Sequence, residues 1–352
     1  MLPRIGAAAV LLALPLSAAA WGQLPPSPDS SPVSNAPVAP SDQSIATFKV
    51  NVNLVDVFFT ARDKHGELVP HLTRNDCSIA EDKAAQTIKS FTAETDLPLT
   101  LGILLDTSGS QQDVLPLEQQ AGAEFLRDVL RPKDEAFLAS FDVNIDLLQD
   151  FTNSPREIAD AMDKAQINTA GGNGGGIPGL GGGPVPISNP KGTVLYDAIY
   201  QSATEKLSEQ TGRKALVILT DGQDEGSDHK ITQAISAAER SNVMVYIVLV
   251  ADVGGYVNAG MGYYGLSASK QIAEQTGGRV INVGSNGKKL AAAFSEISDE
   301  LRTEYLATYT PSNTKLDGTF RRISVSCGEG VKVQTRKGYF APNAESEQRG
   351  NF

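Results

Sequence analysis

Two aspartates in this chain, Asp106 and Asp221, each stand directly after a run of apolar residues, LTLGILL before the first and ALVILT before the second. Around the first the sequence runs Asp106-Thr107-Ser108-Gly109-Ser110, so hydroxyls follow the carboxylate at its second and fourth positions. Carboxylate and hydroxyl oxygens are hard donors, and two carboxylates brought together call for a cation between them. The chain holds 3 histidines, His65, His71 and His229, none beside DTSGS in sequence, so an imidazole- or thiolate-based zinc site is not expected. An oxygen-only shell suits Mg2+ or Mn2+.

The same residues do not assemble an enzyme. A serine hydrolase needs a G-x-S-x-G elbow with a placed histidine and acid, and neither Thr107-Ser108-Gly109 nor Leu266-Ser267-Ala268 supplies one. An aspartate-nucleophile phosphatase loop would carry a second aspartate where Ser108 stands. The acidic stretch from Asp221 to Asp228 lacks the distal glutamate of a calcium loop, having Thr232 there. With no base, nucleophile and orienting group in sight, the chain is expected to be non-enzymatic.

What must position the two aspartates is a pattern of alternating strands and helices between residues 97 and 303. The fully apolar runs read as strands buried on both faces of a mostly parallel sheet. EAFLASF, IDLLQDF, VMVYIVLV and RVINV add further strands, and helices are expected near 115–130, from 154, and over 231–240, 268–276 and 288–303. The fold class is therefore α/β, a doubly wound sheet, and ligands of such sheets bind outside the carboxyl ends of the strands where strand order reverses. Both aspartates are predicted to arrive at that edge. Between 170 and 192 the Gly/Pro-rich sequence predicts an irregular loop, and Tyr256, Tyr263 and Tyr264 form an aromatic loop that reads equally as a contact surface or as incidental.

The flanks are β-patterned. Phe48, Val50, Val52 and Leu54 alternate with polar residues, as do Cys77 with Ile79 and, after the α/β segment, Ile323, Val325 and Cys327. Neither flank alone has strands enough to close a core, so residues 47–96 and 304–342 are expected to join in one β-sandwich with the α/β segment, 97–303, inserted between them. Cys77 and Cys327 would face that shared core, either as a disulfide or as two buried thiols. Residues 343–352 are expected to form a disordered tail.

At the start, Arg4, an apolar run from Ile5 to Leu16 and the small pair Ala18 and Ala20 read as a secretory signal over 1–22, too short for a membrane span. A Pro/Ser-rich linker, 23–46, follows. The protein is thus expected to be secreted or periplasmic, with no transmembrane anchor once the signal is cleaved. The net charge of −11 argues against a nucleic-acid partner, because phosphate binding draws on clustered Lys and Arg.

DTSGS matches the D-x-S-x-S motif of von Willebrand factor type A (VWA) and integrin inserted domains, and the α/β segment resembles that family along its length. Thr193 in KGTVLYDAI resembles the family's loop threonine, and Asp221 in ILTDGQDEG its final aspartate. The resemblance implies a metal-ion-dependent adhesion site (MIDAS) in which Ser108, Ser110 and Thr193 contact the ion directly or nearly so. Asp106 and Asp221 would hold it largely through water, and a carboxylate from a partner protein would fill the open position. Helix capping alone would explain Asp106 and the serines but not Asp221 at a second strand end. The flanks LTRNDCSIAEDKAAQTIKSF, YLATYTPSN and RKGYFAP are similar to those of exported bacterial VWA-related proteins first noted in acidobacteria. Metal-dependent adhesion is the function implied. The alternatives are a structural cell-envelope protein whose metal only stabilises the fold, and a metal-dependent hydrolase. Asp224 and Glu225 are expected to face solvent.

Overall fold

A computed structural model describes residues 54–93, 97–167, 192–250 and 264–343. The expected signal and linker, the alternation over 48–53, the Gly-rich loop up to residue 191, Tyr256, Tyr263 and the tail beyond Asn343 lie outside these residues.

The fold begins with four strands: β1 (Val55–Arg62), β2 (Cys77–Glu81), β3 (Ala84–Gln86) and β4 (Ile88–Ala93). The α/β segment follows, with strands β5 (Leu99–Asp106), β6 (Glu135–Phe141), β7 (Ile145–Thr152), β8 (Arg213–Thr220), β9 (Met244–Leu249) and β10 (Val280–Asn282). Its helices are α1 (Leu115–Val129), α2 (Pro155–Met162), α3 (Leu195–Gln201), α4 (Ile231–Arg240), α5 (Gly265–Thr276) and α6 (Gly287–Arg302). Strands β11 (Tyr305–Tyr309), β12 (Phe320–Cys327), β13 (Lys332–Thr335) and β14 (Gly338–Phe340) complete the described chain.

The six α/β strands form one sheet in the order β10-β9-β8-β5-β6-β7. All neighbours run parallel except β7, which closes one edge antiparallel to β6. Every residue of β5, β8 and β9 is buried, as apolar strands covered on both faces require. One face packs on α1, α2 and α6 through Phe125, Met162 and Phe294. The other packs on α3, α4 and α5 through Ile199, Ile235 and Ile272. Gly102 in β5 lies where Phe137 and Leu216 close over the strand, since a Cβ there would come within 2.5 Å of both. Chain order moves from β5 outward to β6 and then returns to β8 on the other side of β5, so strand order reverses between β5 and β8.

The flanking strands build two antiparallel sheets, β13-β1-β11-β4 and β14-β12-β2-β3, each mixing strands from before and after the α/β segment. They share a core of Val57, Phe59, Ile79, Ile88, Tyr305, Tyr309, Ile323 and Cys327. The structure is thus a doubly wound α/β body set into a small β-sandwich. Cys77 and Cys327 are direct cross-strand partners of β2 and β12, and they are joined as a disulfide. The buried face of β1 falls on Val55, Val57, Phe59 and Ala61, leaving Leu54 54% exposed. That corrects the alternation that put Leu54 inside: with a period of two, a one-residue offset changes the face.

Buried charges tie the two parts together. Arg213, fully buried at the start of β8, donates to Leu97 O at 2.8 Å and also to Leu301 O, the points where the chain enters and leaves the α/β body. Glu300 on α6 pairs with Arg62 of β1 at 2.5 Å and with Arg279. Among the described residues, no helix is long and apolar enough to cross a membrane.

Candidate metal centre

Asp106 is the last residue of β5, and Asp221 directly follows β8, its hydrogen-bonded neighbour in the sheet. The strand reversal therefore delivers both carboxylates to one edge. Asp106 is fully buried. Its Oδ1 accepts from Ser108 N at 3.0 Å and its Oδ2 from Thr220 Oγ1 at 2.6 Å. Thr220, unnoticed in the sequence because it reads as the last residue of an apolar strand, thus orients Asp106 from the strand that carries Asp221. Asp221 is buried and accepts from Gln223 N at 2.9 Å through Oδ1.

The chain after Asp106 turns into a short 3-10 segment, Gly109–Gln111, before α1. That turn brings the hydroxyls of Ser108 and Ser110 to 3.0 Å of one another. Thr193 comes to the same edge from the segment ahead of α3. Its carbonyl accepts from Glu225 N at 2.9 Å and Gly226 N at 3.1 Å in the loop after β8, and the next residue, Val194, donates to Asp142 O at 2.8 Å after β6. Asp142 in turn accepts from Thr107 Oγ1 at 3.1 Å, which links the loops after β5 and β6. The backbone of Thr193 is thus laced to two of the three strand-end loops. Gly192 allows this approach, because a Cβ there would meet Glu225 Cβ at 2.4 Å.

Asp224 does not face solvent as expected. It is partly buried, and its Oδ1 accepts from Tyr196 N at 2.9 Å and Ser227 Oγ at 2.6 Å, holding the Asp221 loop to the first turn of α3. Glu225 is exposed. Asp197 gathers the next residues, accepting from Asp228 N and His229 N, both at 2.9 Å, and lying 2.7 Å from His229 Nδ1.

Electrostatically the edge is acidic and poorly solvated. Burial, and then the charge of Asp221, push the Asp106 carboxyl up to about 7 against the pull of its hydrogen bonds from Ser108 and Thr220. A third acid, Glu118 on α1, is also fully buried. Its carboxyl lies well above the usual range because of burial first, then Asp106 and Asp221. Glu118 escaped notice in the sequence, yet a signal was there: it falls on the helical stripe Leu115, Glu118, Gly122, Leu126, whose members are all buried. Buried acids of one sign at the end of a sheet suit a cation, whose charge reverses the local cost of ionising them. Among the described residues, no three His, Cys, Asp or Glu side chains are grouped to hold a metal, so an ion here would depend on the hydroxyls as well.

Fold and site together define a class: an α/β protein with a mostly parallel sheet, bearing buried aspartates and a serine pair at the strand reversal. No family model matches the chain, and no curated protein matches it. Solved structures with a similar fold include a conserved hypothetical protein, BatB, from Bacteroides thetaiotaomicron, 17% identical, covering 58% of this chain and 99% of that one at a TM-score of 0.42. The PilB minor pilin from Streptococcus sanguinis is 15% identical, covering 60% of this chain and 63% of its own at 0.43. Proximal thread matrix protein 1 from the mussel byssus, with a zinc-occupied MIDAS motif, is 14% identical, covering 63% and 50% at 0.46. At these identities and scores the likenesses assign the chain to no family.

Proposed function

We propose that this chain is a VWA-type binding protein that takes a divalent cation, Mg2+ or Mn2+, at Asp106, Ser108, Ser110, Thr193 and Asp221, and uses it to dock a carboxylate of a partner protein. The observation that carries the reading is the meeting of Asp106 and Asp221 at the strand reversal beside a Ser108–Ser110 hydroxyl pair 3.0 Å apart. Its donors are all oxygen, which favours a hard cation over zinc. When bound, the ion supplies an electrophilic position that hydroxyls and few direct charges leave unsaturated. The chain's own residues prepare it: Thr220 and the Ser108 amide fix Asp106, the Gly222 and Gln223 turn fixes Asp221, and the bonds from Glu225 and Gly226 hold Thr193 at the edge.

A cation also resolves a charge problem. A chain of net charge −11 repels an acidic partner unless a positive centre lies between them. Action outside the cytoplasm is supported by the signal-like residues 1–22 and by the Cys77–Cys327 disulfide, a kind of bond that persists in oxidising compartments.

Titration calorimetry of the purified chain with Mg2+ and Mn2+ tests the reading. Wild type is expected to bind either ion, and Asp106→Ala and Thr193→Ala to lose binding while keeping a cooperative unfolding transition. A partner should then be captured in Mg2+ and released by EDTA. Absence of binding for both ions at millimolar concentration overturns the proposal.

A further inference from the structure

Glu118 is an unusual residue to find inside a folded protein. It sits in the first turn of α1, fully buried, and neither of its carboxylate oxygens has a hydrogen-bond partner. No ion pair among the described residues reaches it, and the charges it feels are those of Asp106 and Asp221, both negative. A buried carboxylate left without a donor costs about 1–3 kcal/mol or more, so a position that served packing alone would be better filled by leucine or methionine. Nearby in the chain, Gln111 is buried at 1% exposure with its Oε1 also unpartnered, while its Nε2 is directed to Ser110 Oγ at 3.4 Å. Two orphaned acceptors therefore follow the segment that carries Ser108 and Ser110, one on each side of the turn into α1. Acceptors need donors, and the hydrated cation of the proposed site brings a shell of water protons.

Resting on that reading, we infer that Glu118 is a positioning residue of the cation site, its carboxylate taking hydrogen bonds from water on the bound ion, with Gln111 Oε1 as a lesser member of the same outer layer. Direct ligation is not required: Glu118 does not group with Asp106 and Asp221 as a ligand cluster. Its place is one layer out, where carboxylates orient a metal's first layer of ligands and contribute charge to affinity. The helix start carries this group and is not itself the site; the pair of unpartnered buried acceptors marks it.

The test compares wild type, Glu118→Gln and Gln111→Met for Mn2+ affinity by calorimetry, for water-proton relaxation by bound Mn2+, and for melting temperature in EDTA. Glu118→Gln keeps the volume and removes the ability to carry a charge beside the ion. It is expected to weaken Mn2+ binding by about 10- to 100-fold, to alter the relaxation enhancement of whatever Mn2+ remains bound, and to leave the melting temperature in EDTA unchanged or higher. Gln111→Met should weaken binding by a smaller factor. A Glu118→Gln protein that binds Mn2+ as wild type does overturns this inference and leaves the metal site standing. A wild type that binds no ion overturns the site and this inference with it. Should Glu118→Gln fail to fold, unaltered affinity and relaxation in Gln111→Met would overturn the outer layer.

Discussion

Removing the disulfide should show how the two parts of the molecule depend on each other. Cys77 and Cys327 are separated by 250 positions in sequence but sit opposite one another in β2 and β12. In the chain-entropy account, a link closing a loop of that length restricts the unfolded chain by about 5.5 kcal/mol. The loop shortens if the α/β body outlasts the sandwich, because Arg213 holds Leu97 and Leu301 together inside that body. Only roughly 45 residues would then be free to open, and the contribution falls to about 4 kcal/mol. The double variant Cys77→Ala with Cys327→Ala is therefore expected to be less stable by about 3–5 kcal/mol, the upper part of what native disulfides contribute. Urea unfolding followed by circular dichroism is the appropriate assay, since the one tryptophan, Trp21, lies outside the described residues. Oxidised and reduced wild type supply the control, with the reduced form matching the double variant. An unfolding free energy that changes by less than about 0.5 kcal/mol on both routes would refute the reasoning, and it would mean that the shared apolar core alone holds β2 to β12.

Glu304 predicts a pH dependence. It is fully buried, its nearest cation is Arg213 at 3.7 Å, and burial pushes its carboxyl from 4.5 up to about 8. Between those values the folded protein keeps a proton that the unfolded chain has released, so stability should fall as pH rises through the window and level off above about 8. Glu304→Gln should flatten this part of the curve in urea titrations at pH 5, 7 and 9, and an unchanged slope counts against the assignment. Gly222 has φ +80°, and a Cβ there would stand 2.6 Å from Ser269 Oγ and 2.8 Å from Gly265 O. Gly222→Ala should therefore displace the loop of Asp221, costing about 1–3 kcal/mol in stability and weakening Mn2+ binding measurably in calorimetry; wild-type affinity would show that the Asp221 loop tolerates the shift.

Much of the central body could be read in advance because its signals are local. LTLGILL and ALVILT are apolar without interruption, and β5 and β8 are buried at every residue. The α4 bounds at Ile231 and Arg240 follow from a strong apolar stripe, whereas α5 starts at Gly265, three residues before its periodicity is evident. What the sequence could not show depends on residues distant in the chain. Whether two cysteines pair depends on the register of β2 against β12, and Asp224 reads as a solvated loop acid until α3 presents Tyr196 N to it. The buried face of β1 begins at Val55, one residue after Leu54, so an alternation ending on Leu54 lands on the opposite face.

The acids at the sheet edge lack the ion pairs that hold several other buried charges of the body, and this is why they are informative. Several other buried charges are matched: Glu300 has Arg62 and Arg279, Asp134 has Arg302 at 2.8 Å, and Glu81 accepts from Tyr309 and Tyr339 with Arg321 at 3.6 Å. Glu118 has no such partner, and Asp106 is held only by the neutral donors Ser108 and Thr220. Acids buried close together at the strand reversal resist ionisation, and a cation there would favour their charged forms. Metal binding should consequently raise the folding stability of the whole body, by an amount that grows with the logarithm of ion concentration above the dissociation constant. Glu118→Gln should reduce the gain, so that its melting temperatures in EDTA and in Mn2+ lie closer together than those of the wild type.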